Sequence, residues 1–298
     1  MNKHILRIML SGTLFLTLLF TFSACSSPPK RADEIFVDRN TAVSQLNLAN
    51  HNVNRGRYED ALIILEDAWR LVLGTDDPAL RIQTITSRGS IYFYLGRHKE
   101  AFSAWESAAA EGDASGLPAL AALARIYSLR AKVVNIANSG LKGEELDTEV
   151  SELLGLIHAE MPIVRNDTLA TAAGLVTLGL AEKQLRRWTE AENYVRSALA
   201  THQKDRYLED AAYDWFLIAS IRSRAENYDS ALEALRLAIS FDRRAENGFG
   251  LASSWQAMGD IHTKAGNRED ALAAYRRSAD IYRAIGLLQM AGNLEALL

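Results

Sequence analysis

The residue types that usually carry enzymatic chemistry are not grouped in this chain in the way that catalysis requires. None of its six histidines is spaced to share one helical face with a second histidine, a cysteine or a carboxylate, which argues against a metal site. The sequence contains no glycine-rich phosphate loop and no Gly-x-Ser-x-Gly nucleophile motif. Acidic pairs such as Glu59-Asp60 and Glu269-Asp270 fall at predicted helix starts, where they stabilise the helix dipole. We therefore predict a protein with no enzymatic activity, no cofactor and no metal.

The only cysteine, Cys25, stands where a different covalent reaction needs a thiol. A basic start with Lys3 and Arg7 precedes an apolar run from Ile8 to Phe22, which is too short to span a bilayer comfortably and is typical of an export signal. The Ser-Ala-Cys ending resembles the lipobox of bacterial lipoproteins, although phenylalanine stands where such boxes usually carry leucine. The resemblance implies a signal peptide over residues 1–24 and acylation of Cys25, for example with palmitate. An ordinary cleaved signal with an incidental cysteine is the alternative.

The remaining composition limits the class of protein and its partners. The chain has 33 Lys and Arg residues against 37 Asp and Glu residues, a net charge of −4, and its basic residues form no stripe. We therefore expect no nucleic-acid partner. A lone cysteine cannot form an internal disulfide, so the folded part must rely on its core. Residues 25–40 are polar and include Pro28 and Pro29, which predicts a lipidated N-terminus followed by a flexible tether.

Beyond the tether, an alanine returns at multiples of about forty residues, within similar phrases. The recurring alanines are Ala61, Ala101, Ala191, Ala231 and Ala271. Small residues stand twelve positions before them, at Ala49, Gly89, Gly179, Ala219 and Gly259. Small residues also stand seven positions after them, at Ala68, Ala108, Ala198, Ala238 and Ser278. Apolar residues between these columns are spaced by three and four, which predicts two amphipathic helices per unit. Gly56, Gly96 and Gly266 fall between the two halves and predict the turns.

The pattern resembles the tetratricopeptide repeat, a helical hairpin with conserved small and aromatic positions. The last unit matches best, with Trp255, Met258, Gly259, Ala271 and Tyr275, although the closing proline of the signature is absent. The resemblance implies an all-α fold, a right-handed α-solenoid of stacked helix–turn–helix repeats. The period is longer than the usual length of about 34 residues, which implies slightly longer helices.

The repeat pattern also predicts where the array begins, where it is irregular and how it ends. About six hairpins are expected over residues 41–285. The interval between Ala101 and Ala191 is ninety residues, so a degenerate third unit is expected at about 113–167, with lengthened helices or an inserted loop. Residues 286–298 look like the first helix of a further unit, which implies a capping half repeat over the last hairpin.

In the tetratricopeptide family the outward face of each unit's first helix lines a concave surface, and the resemblance places the candidate binding residues there. These candidates are Asn47, Asn50, Asn54, Gln83, Phe93, Tyr94, Lys183, Gln184, Tyr213, Phe216, Arg224, Gln256, Asp260 and Lys264. Amides can pair with an extended backbone and aromatic rings can cover apolar side chains, so the surface suits a protein or peptide partner. A solvated face of ordinary polar residues is the alternative. The carboxylate clamp of chaperone-binding relatives is absent, because Leu46, Ser87, Pro118 and Ala122 replace its residues.

Together these features resemble the tetratricopeptide lipoproteins that act as scaffolds or adaptors for other cell-envelope proteins. We expect a protein anchored to the membrane through acylated Cys25, with an envelope protein or peptide segment as its partner. Ser26 lacks the acidic side chain that retains enteric lipoproteins in the inner membrane, which favours the periplasmic face of the outer membrane. The alternative is a small-ligand or solute-binding accessory lipoprotein that works with a transporter component. Its pocket would be lined by Phe93, Tyr94, Tyr213 and Phe216.

Overall fold

The computed structural model describes residues 37–298, so the predicted signal peptide, Cys25 and most of the predicted tether lie outside the described residues. Residues 37–298 form thirteen α-helices and no β-strand, which confirms the predicted all-α class. The helices are α1 (Val37–Asn54), α2 (Tyr58–Thr75), α3 (Pro78–Tyr94), α4 (His98–Ala114), α5 (Pro118–Asn138), α6 (Gly143–Val164), α7 (Thr168–Gln184), α8 (Trp188–Lys204), α9 (Leu208–Arg224), α10 (Tyr228–Ala245), α11 (Gly248–Lys264), α12 (Arg268–Ala284) and α13 (Leu288–Glu295). Because α1 begins at Val37, residues 37–40 are helical rather than part of a tether.

The helices pair into hairpins because small residues on the first helix face large ones on the second. A methyl group added to Gly89 on α3 would lie 2.7 Å from the indole nitrogen of Trp105 on α4. The same relation holds between Gly259 on α11 and the ring of Tyr275 on α12. Glycine therefore lets each ring pack directly against the backbone of its partner helix, which fixes the crossing point of the hairpin.

The recurring alanine lies at the centre of this packing. Its side chain is completely buried in the first four units and 3% exposed in the last, Ala271. The small residue seven positions later is also completely buried in every one of these five units. In the last unit it is Ser278, whose hydroxyl donates a hydrogen bond to the carbonyl of Ala252 at 2.7 Å, so the polar group is satisfied inside the core.

Most connections between helices repeat one backbone conformation, with a residue of positive φ two positions before the next helix begins. Glycine occupies this position in the predicted turns at Gly56, Gly96 and Gly266, with φ of 70°, 73° and 80°. Other turns place side-chain-bearing residues in the same left-handed region: Asp76, Arg186, Arg206, Glu226 and Glu246. The turn geometry is therefore set by the array, and it is adopted even where the residue is poorly suited to it.

The irregular third unit consists of lengthened helices. Helices α5 and α6 contain 21 and 22 residues, whereas the other hairpin helices contain 17 or 18. The apolar face of α6, with Val150 and Ile157 fully buried, packs into the same core as α7 and α8. The unit thus keeps the hairpin architecture while it shifts the register of the array.

Successive hairpins stack so that the first helices form one surface. Helix α3 packs on α5, α5 packs on α7, and α9 packs on α11, in addition to the packing of consecutive helices. The resemblance to tetratricopeptide repeats implies that the first helices line the concave side of the array. We call the exposed surface of α1, α3, α5, α7, α9 and α11 the inner face.

The last helix covers the open end of the final hairpin. Ala291 and Leu294 of α13 are 2% and 3% exposed, and they pack in one apolar cluster with Ala252, Tyr275 and Tyr282. Without α13 these side chains would face water, as expected for the end of a stacked array. Between residues 37 and 298, no helix is both long enough and apolar enough to cross a bilayer.

Candidate functional site

Two tyrosines, from the second and fifth hairpins, are exposed on the inner face. Tyr94 is 56% exposed at the end of α3, and Tyr213 is 44% exposed on α9. Burial by the surrounding helices raises the pKa of Tyr213 to about 12, and Tyr94 lies near enough to contribute to the shift. The Tyr213 ring is therefore accessible to a partner, while the surrounding helices disfavour loss of its phenol proton.

A further cluster on the inner face involves Tyr127 and Arg130 of α5, which the repeat pattern does not single out. Arg130 donates hydrogen bonds to the carbonyl of Ala173 at 2.7 Å and to the hydroxyl of Thr177 at 3.1 Å. Its guanidinium also lies 5.3 Å from the ring centroid of Tyr127, a cation–π contact. These contacts tie α5 to α7 on the inner face. Both residues lie in the lengthened third unit, whose positions cannot be aligned with those of the other repeats.

A buried acid–base pair supports this part of the inner face from behind. Nδ1 of His202, near the end of α8, lies 2.7 Å from Oδ2 of Asp214 on α9. Burial raises the pKa of Asp214, and its other oxygen has no hydrogen-bond partner within residues 37–298. The pair joins the fourth and fifth hairpins, and Asp214 directly follows Tyr213 in the sequence. The repeat pattern does not predict this pair, because the two residues lie on different helices.

The first hairpin contacts later hairpins that are distant from it in the sequence. Asn54, at the end of α1, donates a side-chain hydrogen bond to Glu209 at the start of α9. A methyl group added to Gly56 would lie 2.9 Å from the ring of Phe249 and 3.1 Å from a methyl of Leu287. We call this set of contacts the seam. Asn54 is one of the predicted binding residues, and its side-chain amide already forms a hydrogen bond within the chain.

The other amide and acidic candidates fall into two groups: some are accessible to solvent, and others accept hydrogen bonds from side chains of a neighbouring helix. Asn47, Asn50 and Gln83 are exposed, and Gln184 is half-buried. Asp260 accepts a hydrogen bond from the hydroxyl of Tyr275 at 2.8 Å, and Gln256 accepts one from Tyr282 at 3.5 Å. These last two candidates therefore hold α12 against α11.

The two phenylalanine candidates serve packing. The ring of Phe93 lies 5.1 Å from His98 and 6.1 Å from Trp105, between centroids, in an apolar cluster of the second and third hairpins. Phe216 is half-buried against the main core. Of the four aromatic residues predicted to line a pocket, Phe93 and Phe216 pack in apolar clusters, whereas Tyr94 and Tyr213 are exposed.

Three basic side chains from successive hairpins meet near the end of α9. Nζ of Lys183, on α7, donates to the hydroxyl of Ser220 at 3.2 Å, and Nζ of Lys264, on α11, donates to that of Ser223 at 3.5 Å. Arg224 follows Ser223 directly. We call Lys183, Arg224 and Lys264 the cationic cluster.

The electrostatics of the cationic cluster are unfavourable. Burial, together with the nearby charge of Arg224, lowers the pKa of Lys183 to about 8. Within residues 37–298, no Asp or Glu forms an ion pair with any of the three basic residues. The described chain also has no group of three His, Cys, Asp or Glu side chains arranged to hold a metal. The inner face thus offers binding groups: phenol rings, hydroxyls and cations.

Comparisons with known proteins agree with this architecture. Family models described as "Tetratricopeptide repeat" match residues 41–79, 171–204 and 207–284. None of the curated proteins matches the sequence. The matched segments comprise most of the first and fourth hairpins and the fifth and sixth hairpins, whereas nearly all of the second hairpin and the lengthened third unit lie outside them.

Two solved structures are similar in fold. The structure of BtubC (BKLC) from P. vanneervenii has a TM-score of 0.51 and 16% identity, with 82% of this chain and 92% of that chain covered. The structure of a Rap protein complexed with competence and sporulation factor has a TM-score of 0.57 and 13% identity, with 89% of this chain and 75% of that chain covered. At these identities the likeness concerns the fold, which is a helical repeat solenoid.

Proposed function

Since this chain belongs to the tetratricopeptide-repeat family, whose arrays serve as protein-interaction scaffolds, we propose that it is a lipid-anchored scaffold for other cell-envelope proteins. Its partner would be a protein or peptide segment bound along the inner face. The proposal assigns the protein no reaction, since the inner face carries binding groups without a nucleophile placed beside a base.

The observation that carries the proposal is the exposure of large and charged side chains inside the array. Tyr94 and Tyr213 are each roughly half exposed there, and the cationic cluster lacks carboxylate partners within the described residues. Tyrosine offers a large contact area at low conformational cost, and it is enriched where proteins bind each other. The Rap protein of the same fold, solved with competence and sporulation factor, supports the capacity of this architecture to hold a bound factor.

The anchor and the address belong to the same proposal and rest on the sequence. Cys25 follows an export signal that ends in Ser-Ala, and Ser26 carries no retention charge. Acylation at more than one position would hold the chain stably at a membrane, whereas one acyl chain binds only marginally. We place the scaffold at the periplasmic face of the outer membrane. Mass spectrometry of the mature N-terminus tests the anchor, and an unmodified first residue other than Cys25 would refute it.

The partner surface can be tested by photo-crosslinking in the native envelope. A photoreactive phenylalanine analogue replaces Tyr213 on the inner face, and the control replaces Leu237, which is 42% exposed on the second helix α10. We expect discrete crosslinked proteins from the Tyr213 position and none from the Leu237 position. Equal crosslinking from both positions would refute inner-face binding. A small-ligand role receives no support, because Phe93 and Phe216 pack against the core.

A further inference from the structure

The three charges of the cationic cluster converge on one turn of α9. Ser220, Ser223 and Arg224 lie three and four positions apart, so their side chains share one face of the helix. Lys183 reaches this face from the preceding hairpin and Lys264 reaches it from the following one. Three consecutive first helices therefore each contribute one cation to a single site on the inner face.

The chain does not neutralise this site, although it neutralises many others. Arg222, two residues before Arg224, pairs with Glu192 at 2.8 Å, and Arg125 pairs with Glu160 at 2.8 Å. Lys183 is half-buried, yet its side chain donates a hydrogen bond to a neutral hydroxyl, that of Ser220. Placing like charges together in a partly desolvated site raises the free energy of the folded state. An arrangement of this kind is stabilised when an anion enters it.

We propose that the cationic cluster binds carboxylate side chains of an acidic segment in the partner protein. The inference rests on the proposed function and specifies the chemistry of the partner. Arg224 and Lys264 are exposed and Lys183 is half-buried, so an extended acidic chain can reach all three helices at once. The exposed tyrosines of the same face would contact the residues that flank the acidic ones. The net charge of −4 makes nonspecific attraction of polyanions by the whole chain weak.

A peptide pair tests the charge requirement directly. The probes are a fluorescein-labelled glutamate decamer and a matched glutamine decamer, and binding to the full-length protein is followed by fluorescence anisotropy at low and high salt. We expect the glutamate decamer to bind about tenfold more tightly, with the difference shrinking at high salt as ion pairs are screened. Equal affinity for the two peptides would overturn the proposal.

A pair of double variants locates the binding site. In the test variant, Lys183→Met is combined with Arg224→Met. The control combines Arg236→Met and Arg276→Met on the outer helices α10 and α12, where both arginines are exposed. The two variants lose the same total charge, so general electrostatics affect them equally. We expect the test variant to lose about tenfold in affinity for the glutamate decamer and the control to bind like the wild type.

The remaining outcomes separate this inference from the proposed function. Thermal melts test whether the test variant is folded. We expect its melting temperature to equal or exceed that of the wild type, because the substitutions remove two neighbouring positive charges that repel each other. An equal loss of affinity for the glutamate decamer in both variants would overturn the inference. Phosphatidylglycerol vesicles and a thymidine decamer serve as alternative anionic probes. If the test variant loses affinity for one of these probes but not for the glutamate decamer, the inference is also overturned. The photo-crosslinking experiment at the Tyr213 position is repeated in the test variant. If all crosslinks to envelope proteins persist, binding of an acidic segment by the cationic cluster is refuted, while the scaffold function stands. If the glutamate decamer binds as expected but no envelope protein crosslinks, the scaffold is refuted.

Discussion

Asn54 donates a side-chain hydrogen bond to Glu209, although 155 positions separate the two residues in the sequence. Beside this bond, Gly56 approaches Phe249 and Leu287 so closely that a methyl group would not fit without movement. The seam therefore joins the edge of the first hairpin to later hairpins. Glu209 is half-buried there, and burial raises its pKa.

Breaking the seam hydrogen bond should loosen the first hairpin. We expect Asn54→Ala to cost about 1 kcal/mol, because the partly buried Glu209 loses its partner. Hydrogen exchange should accelerate at residues 52–58 and 285–290. Asn50→Ala is the control, since Asn50 is exposed on the same helix. Identical exchange in the two variants would show that the seam does not hold the hairpin.

The packing role of the recurring alanine can be tested within one helix. Ala191 is completely buried in α8, and Ala200 is exposed in the same helix. Ala191→Glu should lower the free energy of unfolding by about 3 kcal/mol or more, because it overpacks the hairpin and buries an unpaired carboxylate. Ala200→Glu should change it by less than about 0.5 kcal/mol. Chemical denaturation measures both. Similar midpoints for the two variants would contradict the repeat register.

The sequence predicts the hairpin units well because each unit depends on contacts within its own forty residues. Gly89 and Trp105 lie sixteen positions apart, and the same interval recurs at Gly259 and Tyr275. The turns are less visible. Glu226 has a φ of 64°, although glutamate is not a residue type that predicts the left-handed backbone conformation. Its conformation follows from the stacking of the hairpins on either side.

Replacing that residue with glycine should stabilise the protein. Glu226 is exposed and has a positive φ, which costs a side-chain-bearing residue about 1 kcal/mol. We expect Glu226→Gly to raise the free energy of unfolding by up to about 1 kcal/mol, in part offset by the entropy of glycine in the unfolded chain. Glu233→Gly, within α10, should lower it by about 1 kcal/mol. A destabilised Glu226→Gly variant would show that the turn is not strained.

The inner face is predicted only in part, because it depends on how hairpins curve around one another. Repeat alignment places Lys183 and Lys264 on the correct helices. It does not predict that both side chains form hydrogen bonds with serine hydroxyls of α9. Arg130 escapes prediction because the lengthened third unit shifts the columns. Asn54 looks like a free binding residue in the sequence, and the seam that occupies it arises only when distant hairpins meet.

Asp242 should make stability depend on pH. This carboxyl group is 3% exposed, accepts a hydrogen bond from the amide of Asn247 at 2.8 Å, and has its pKa raised by burial to about 7 from an ordinary 3.8. Between these values the folded state keeps a proton that the unfolded state loses. The contribution of Asp242 to the free energy of unfolding therefore falls as pH rises from about 4 to 7.

The substitution Asp242→Asn removes this titration and keeps the acceptor oxygen. We expect the variant to be more stable than the wild type at pH 8, by on the order of 2 kcal/mol, with the difference vanishing near pH 4. Urea unfolding at several pH values measures it. Glu233→Gln, exposed on the same helix, should leave the pH profile unchanged. A variant whose pH profile parallels that of the wild type would refute the assignment.

The capping helix α13 offers a test of how stability spreads along the array. Leu294 is 3% exposed and packs with Ala252 and Tyr282, whereas Leu297, three residues later, is 56% exposed. Leu294→Glu should therefore open the last hairpin, at a cost of about 2–4 kcal/mol, while Leu297→Glu should not. Hydrogen exchange should accelerate most in α11 and α12 and less in α7 and α8, because each hairpin contacts chiefly its neighbours. The first hairpin should respond as well, since Leu287 beside α13 contacts Gly56 through the seam. Unchanged exchange in α11 and α12 would show that α13 is not a cap, and unchanged exchange at residues 52–58 alone would show that the seam does not couple the two ends.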